Sequence, residues 1–224
     1  MSNPERICSR ASENSRRIDR VPEEKNTGKS GTGKRNRKGA RMNEERWYLN
    51  ITYPELKPPF LCVMTSGGNT QLVHVKDYIE FEVLGKTRDD AIGEAFDKVA
   101  RVVGLGYPGG PKVDNLAKEG NPEAITLPKT HFDNLDFSFS GIKTAVINLH
   151  HKTPDINKAD LCASFEKTVT EILIENTKKA LKQINVKTVA LAGGVSANSY
   201  IRNEFLKLKE IGIEVYMPDL KLCT

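Results

Sequence analysis

The sequence predicts an α/β lobe built on a mixed β-sheet with helices on its faces. Three observations carry that expectation. An apolar run of strand length at 60–65 is followed by two more strand-like segments, at 70–75 and 79–84. A long amphipathic helical pattern occupies 160–184, with Leu161, Phe165, Val169, Leu173 and Ile174 on one stripe. Beyond it the order becomes strand, helix, strand: strands first and alternating elements later indicate a mixed sheet.

The chain has 224 residues, and its texture changes near Trp47. Residues 1–46 are rich in Ser, Asn, Gly, Lys and Arg, with too little apolar surface to offset chain entropy, so a disordered basic tail is expected. This tail carries 13 Lys/Arg against 7 Asp/Glu, whereas the remainder carries 21 against 22. The formal charge of +5 therefore belongs to the tail and does not mark the folded part as a polyanion binder. Within the tail, GKSGTGK at 28–34 approaches the phosphate-loop pattern, but Arg35 stands where the magnesium-holding hydroxyl belongs and no strand leads in. Residues 47–59, with Pro54, Pro58 and Pro59, read as an extended linker, and 60–224 as the lobe itself.

Within the lobe, 89–103 has helical spacing, with Ala91, Ala95, Val99 and Val102 as its apolar stripe. The run GLGYPGGP at 104–111 is expected to be a loop, followed by a short helix over 113–119 and another beginning near Ser140. A buried strand at 188–192 ends in Gly193-Gly194-Val195; a helix over 198–210 and a strand over 213–217 complete the pattern.

Several classes of function are excluded. Cys8, Cys62, Cys162 and Cys223 contain no C-x-x-C pair, and His74, His131, His150 and His151 form no metal-binding spacing. Cys62 and Cys162 sit in apolar context and read as small buried hydrophobes. No apolar run approaches the roughly 20 residues of a membrane span, nor is there a signal core, so a cytoplasmic protein is expected.

Three glycine-bearing turns at element ends are the candidates for chemistry. Thr65-Ser66-Gly67-Gly68-Asn69-Thr70 joins two strands, where a ligand's phosphate can approach backbone N–H groups or where the chain simply turns. Gly193 and Gly194 lie where a strand runs into a helix, a place that favours an anion. The third, YPGGP at 107–111, follows a helix on which Asp90, Glu94, Asp97 and Arg101 share one face; that face could equally be solvated, with Glu94–Lys98 and Asp97–Arg101 pairs. Two strand-end glycine turns gripping opposite ends of a nucleotide suggest an actin-like ATPase (ASKHA) fold.

The segments SGGNTQLV (66–73), TRDDAIGEAFDKVARVVGLGYPGGP (87–111), FSFSGIKTAV (137–146), LAGGVSANSYIR (191–202) and KLCT (221–224) together resemble the bacterial TsaD family. The likeness runs from about Tyr48 to Thr224, covering mainly the second lobe of that fold, and implies a truncated member. It implies transfer of a threonylcarbamoyl group from threonylcarbamoyl-AMP to the adenosine 3′ of the anticodon, position 37, in tRNAs reading ANN codons. It also implies tRNA, a paralogous TsaB-type subunit and a TsaE-type small ATPase as partners. Carried over residue by residue, the family's substrate contacts fall on Met64, Thr65, Ser66, Gly67, Gly68, Asp97, Gly110, Asp114 and Asn198, with Gly193 and Gly194 as the phosphate turn; the catalytic residues are not assigned.

The family's Fe2+ or other divalent metal implies two histidines ahead of the first strand, where this chain reads NEERWY at 43–48, and an aspartate directly after KLCT. Asn69 replaces a family histidine. No metal ligand is therefore assigned within this chain. Two other readings stand beside the transferase: an inactive nucleotide- or partner-binding lobe, and another kinase of the actin-like fold, against which YPGGP and SFSGIKT argue.

Overall fold

The structure is a computed structural model and describes residues 53–223. The tail expected over 1–46 and the first part of the 47–59 linker lie outside the described residues. From Tyr53 the chain makes a turn closed by the Leu56 N–H on the Tyr53 carbonyl at 3.0 Å, and Leu56 is buried.

The sheet has five strands in the order β3-β2-β1-β4-β5. β1 (Phe60–Thr65) is central and buried along its whole length, because FLCVMT offers apolar or small side chains to both faces. It pairs antiparallel with β2 (Thr70–Val75), from Phe60 opposite Val75 to Thr65 opposite Thr70, and parallel with β4 (Thr188–Ala192). β5 (Glu214–Tyr216) extends the parallel side and β3 (Phe81–Lys86) the antiparallel side. The mixed sheet expected from the sequence is the one observed.

Strand alternation divides the core. Leu61 and Val63 face the larger cluster, into which α1 (Ile92–Val102) and α4 (Lys158–Ile184) pack Phe96, Val99, Phe165 and Leu173. Phe60, Cys62 and Met64 face a smaller cluster with Val73, Val75, Ala190 and Ala192. Phe96 and Phe165 meet edge to face at 5.0 Å; burying each removes apolar surface worth about 2–3 kcal/mol. As expected, Cys62 and Cys162 are buried, and burial beside Glu166 pushes the Cys162 thiol up to about 12.

Four boundaries differ from the sequence reading, each for a local reason. β3 begins at Phe81 and not at Ile79: Lys76 and Asp77 N–H groups both reach the Glu80 carbonyl, making a turn that leaves Ile79 89% exposed. α1 begins at Ile92, since Asp89 serves α3 (Ser140–Lys152) instead, accepting from the Ser138 and Ser140 hydroxyls and the Phe139 N–H at 2.5–2.9 Å. α2 (Gly109–Ala117) starts inside the segment expected to be a loop. The helix expected over 198–210 is α5 (Ser199–Leu206) followed by a tighter 3₁₀ turn at Lys207–Ile211, which Gly212 ends at φ +79°.

α4 is the longest element at 27 residues. Asn157 caps its start by accepting from the Ala159 and Asp160 N–H groups, and Asn185 in the left-handed conformation ends it. It runs beneath α2 and α5 and so supports both walls of the site.

Candidate functional site

At the carboxyl ends of β1 and β4 lies a cleft of about 420 Å³. It is bordered by Gly67 of the β1–β2 turn, Asp97 of α1, Gly110 and Asp114 of α2, and Gly194 and Asn198 of the β4–α5 turn. Chain crossovers leave such a crevice at the strand ends of α/β sheets.

The two sides of the cleft are joined through backbone. Thr65 donates its hydroxyl to the Ala192 carbonyl at 3.2 Å, tying the end of β1 to that of β4. Gly193 follows at φ +93°, and a Cβ there would stand 2.4 Å from the Thr65 carbonyl oxygen. Only glycine permits that conformation and that approach. The turn then tightens into a 3₁₀ segment, Gly194–Ala197, with the Ser196 hydroxyl on the Gly193 carbonyl at 2.6 Å.

On the other wall, Asp97 accepts the Gly109 N–H at 2.7 Å, satisfying a donor at the start of α2. The expected Asp97–Arg101 pair does not form, because the carboxylate turns to α2; the expected Glu94–Lys98 pair does, at 2.7 Å. Gly109 is pressed against α1, where a Cβ would come within 2.6 Å of the Asp97 Cα. Gly110, one residue on, borders the cleft, and a Cβ built there meets nothing within 4 Å. Lys112 holds the preceding loop by donating to the Leu105 and Tyr107 carbonyls at 2.8 and 3.2 Å. Tyr107 stands 80% exposed at the rim.

Asp114 joins α2 to α5. Its Oδ1 accepts from the Ser199 N–H at 3.1 Å and the Ser199 hydroxyl at 2.6 Å, while Oδ2 pairs with Lys118 at 3.3 Å. Asn198 caps α5 by accepting the Ile201 N–H at 2.9 Å, and its amide donates to Glu166 of α4. Burial raises the Glu166 carboxyl to about 7; the Asn198 bond works against that rise and the Asp114 carboxylate adds to it.

Of the residues expected to contact substrate, the structure brings Gly67, Asp97, Gly110, Asp114, Asn198 and Gly194 to one cleft. Gly68 sits beside Gly67 in the same turn, also with open space around it. Met64 and Thr65 are buried in the sheet, Met64 in the smaller core cluster, and Ser66 and Gly193 form the backbone under the turn. Sequence reasoning missed Glu166. The available signal was its place on the apolar stripe of α4, four residues from Cys162 and three from Val169, where a carboxyl has to be explained.

Among the described residues, no three His, Cys, Asp or Glu side chains come together to hold a metal ion. The described residues do not fit the metal that the sequence resemblance implies. What can be derived from them is binding and orientation. Nor is any helix among them long and apolar enough to cross a membrane.

A mixed 3-2-1-4-5 sheet with glycine turns at the ends of its central strands defines one lobe of an actin-like ATPase fold. A solved structure of HypF in a phosphate- and nucleotide-bound form is similar over 78% of this chain and 39% of that one, with a TM-score of 0.64 at 15% identity. The chain belongs to the TsaD family: the family model described as tRNA N6-adenosine threonylcarbamoyltransferase matches residues 45–224. Proteins of that name from Clostridium botulinum (strain Hall) and Clostridium perfringens (strain SM101) are 56% and 55% identical over 181 residues. These alignments cover 78% of this chain and 53% of each relative, so the chain spans about half the length of the curated relatives it matches.

Proposed function

We propose that this chain is the nucleotide-holding lobe of an enzyme that transfers a threonylcarbamoyl group from threonylcarbamoyl-AMP to N6 of adenosine 37 in tRNAs reading ANN codons. The observation that carries the reading is the meeting of Asp97, Asp114 and Asn198 with the open glycines Gly67 and Gly110 around a single cleft, at positions the family resemblance selects. In the reaction, the adenosine amine forms a bond to the carbamoyl carbon, the bond from that carbon to the AMP oxygen breaks, AMP leaves with the electron pair, and the amine proton passes to solvent.

The chain's own residues bind and orient. Asp97 and Asp114 offer carboxylate acceptors to ribose hydroxyls at the cleft that Asn198 also borders. Gly67, Gly68 and Gly110 leave room for a phosphate to come close to the backbone, and Gly194 borders the same cleft. Family resemblance adds a divalent metal such as iron, tRNA, a TsaB-type subunit and a TsaE-type ATPase as participants, and a cytoplasmic site of action follows from a tRNA substrate.

Calorimetric titration of AMP into the 224-residue chain tests the binding half. Asp114→Asn, which keeps an acceptor for Ser199, should weaken AMP by about tenfold, the loss of one charge-assisted hydrogen bond. Equal affinity in that variant would remove Asp114 from the site. A transfer assay with tRNA, threonylcarbamoyl-AMP and the partner subunits, alongside direct metal analysis, tests the chemistry. AMP binding without product would leave a binding lobe.

A further inference from the structure

We propose that Glu166, behind the cleft, is a positioning residue whose neutral carboxyl holds Asp114 and Asn198 in the geometry that receives a nucleotide, and whose ionisation loosens that wall. The proposal rests on the nucleotide reading of the cleft given above.

Glu166 does not border the cleft; it is 3% exposed in the middle of α4. It reaches one polar residue of each wall, Asp114 on α2 and Asn198 at the start of α5. The Asn198 amide donates to Oε1, and the nearby Asp114 carboxylate acts on the same carboxyl, favouring its protonated form. Both neighbours are otherwise committed to α5: Asn198 Oδ1 to the Ile201 N–H, and Asp114 Oδ1 to Ser199. Glu166 thus joins α2, α4 and the start of α5 at one point, directly beneath two residues of the cleft.

A buried carboxyl accepting one hydrogen bond and facing a second carboxylate has a use for a proton. Two carboxylates in contact share a single proton in their favoured form, and the O–H then donates from one to the other. In that form Glu166 accepts from Asn198 and donates to Asp114, and the three side chains are mutually satisfied. Once it ionises, a buried carboxylate faces the partly buried Asp114 carboxylate, and the like charges push the Asp114 side apart. The titratable and charged groups acting on it are Asp114 and Lys118 from α2 and Cys162 one turn earlier on α4; from α5 the facing group is the neutral Asn198 amide. Lys118 is half-exposed at 54% and pairs with the outer oxygen of Asp114, so it screens the contact without replacing the proton. The ionisation falls near neutral pH.

Glu166→Gln is the discriminating variant. Its amide oxygen accepts from Asn198 and its NH₂ donates to Asp114 at every pH, so it imitates the neutral acid permanently. Two measurements on the full chain are made from pH 5.5 to 8.5. The first follows the Asn198 side-chain amide by NMR, with no ligand present. It should titrate near pH 7 in the wild type and stay flat in E166Q. The second follows AMP affinity. AMP's own phosphate titrates in this range, so the quantity read is the ratio of wild-type to E166Q dissociation constants. That ratio should rise about tenfold from pH 6 to pH 8, the equivalent of one pKa unit of coupling. Glu166→Ala should bind AMP more weakly than E166Q at every pH.

A wild-type Asn198 amide that stays flat overturns the proposal, as does a pH-independent ratio while AMP binds. If AMP binds neither protein, the nucleotide reading fails, and the amide titration alone decides whether Glu166 sets the wall.

Discussion

Gly193 and Gly109 are glycines for a different reason from Gly67 and Gly110, although the sequence presents all four as parts of similar turns. Gly193 and Gly109 are where one stretch of backbone passes against another: an added Cβ would lie 2.4 Å from the Thr65 carbonyl oxygen in the first case and 2.6 Å from the Asp97 Cα in the second. At Gly67 and Gly110 a Cβ meets no protein atom within 4 Å, and both border the cleft. One pair lets the lobe close up; the other keeps space that the protein itself does not fill. A single motif such as YPGGP holds one glycine of each kind, so composition cannot separate them, whereas their neighbours in space can.

That distinction is broken most directly at Gly193. Gly193→Ala combines a left-handed backbone with an overlap on Thr65, and should cost roughly 3–5 kcal/mol from strain and overpacking together. Chemical denaturation of the full chain measures it. A loss below about 1 kcal/mol would mean that the β1 and β4 ends separate easily, and that Gly193 belongs with the open pair.

The next effect tests whether α4 supports the open side. Glu166 has a carboxyl raised from 4.5 to about 7, mainly by burial. Below pH about 4.5 it is protonated both folded and unfolded. Between there and about pH 7 the native state keeps a proton that the unfolded chain has released, so stability falls as pH rises and the loss is complete above the folded value. The span corresponds to about 3 kcal/mol. Stability of E166Q minus that of the wild type should therefore grow from pH 4.5 to 7 and then level off. A constant difference would place the carboxyl in an ordinary, well-solvated setting.

How much of this could be read beforehand depends on the range of the interaction. β1, β2, β4 and α4 were legible because each is a local pattern of apolar residues confirmed by its flanking turns. The start of α2 was not: GG and two prolines read as loop, yet Asp97, twelve residues earlier, supplies the acceptor that lets a helix begin at Gly109. The shift of α1 to Ile92 has the same origin, since Asp89 is drawn away by hydroxyls about 50 positions on in the chain. Resemblance picked out Asp114 and Asn198 as contacts. Only the fold places Glu166 behind both.

Asp97 bridges the two kinds of position, since it borders the cleft and also holds the packed start of α2. Asp97→Ala should remove a helix-capping bond worth about 1 kcal/mol, seen as a small fall in denaturation midpoint, and should weaken AMP beyond what that instability explains. Asp97→Asn keeps an acceptor for the Gly109 N–H, so its stability should stay near wild type while AMP affinity still drops. If Asn restores both properties, Asp97 serves only the helix and the charge is not used by a ligand.

The smallest effect on stability is expected at the open pair, and it is the most informative about function. Gly67→Ala and Gly110→Ala add a methyl group to empty space, and should shift stability by no more than about 0.5 kcal/mol. The same methyl lies where a phosphate would need to approach the backbone, so AMP affinity should fall about tenfold or more for a displaced charge-assisted contact. Adenosine, which lacks the phosphate, should bind both variants as it binds the wild type. Equal losses for AMP and adenosine would move the phosphate away from these glycines, toward Gly194 on the opposite wall, and would make the open space a feature of shape alone.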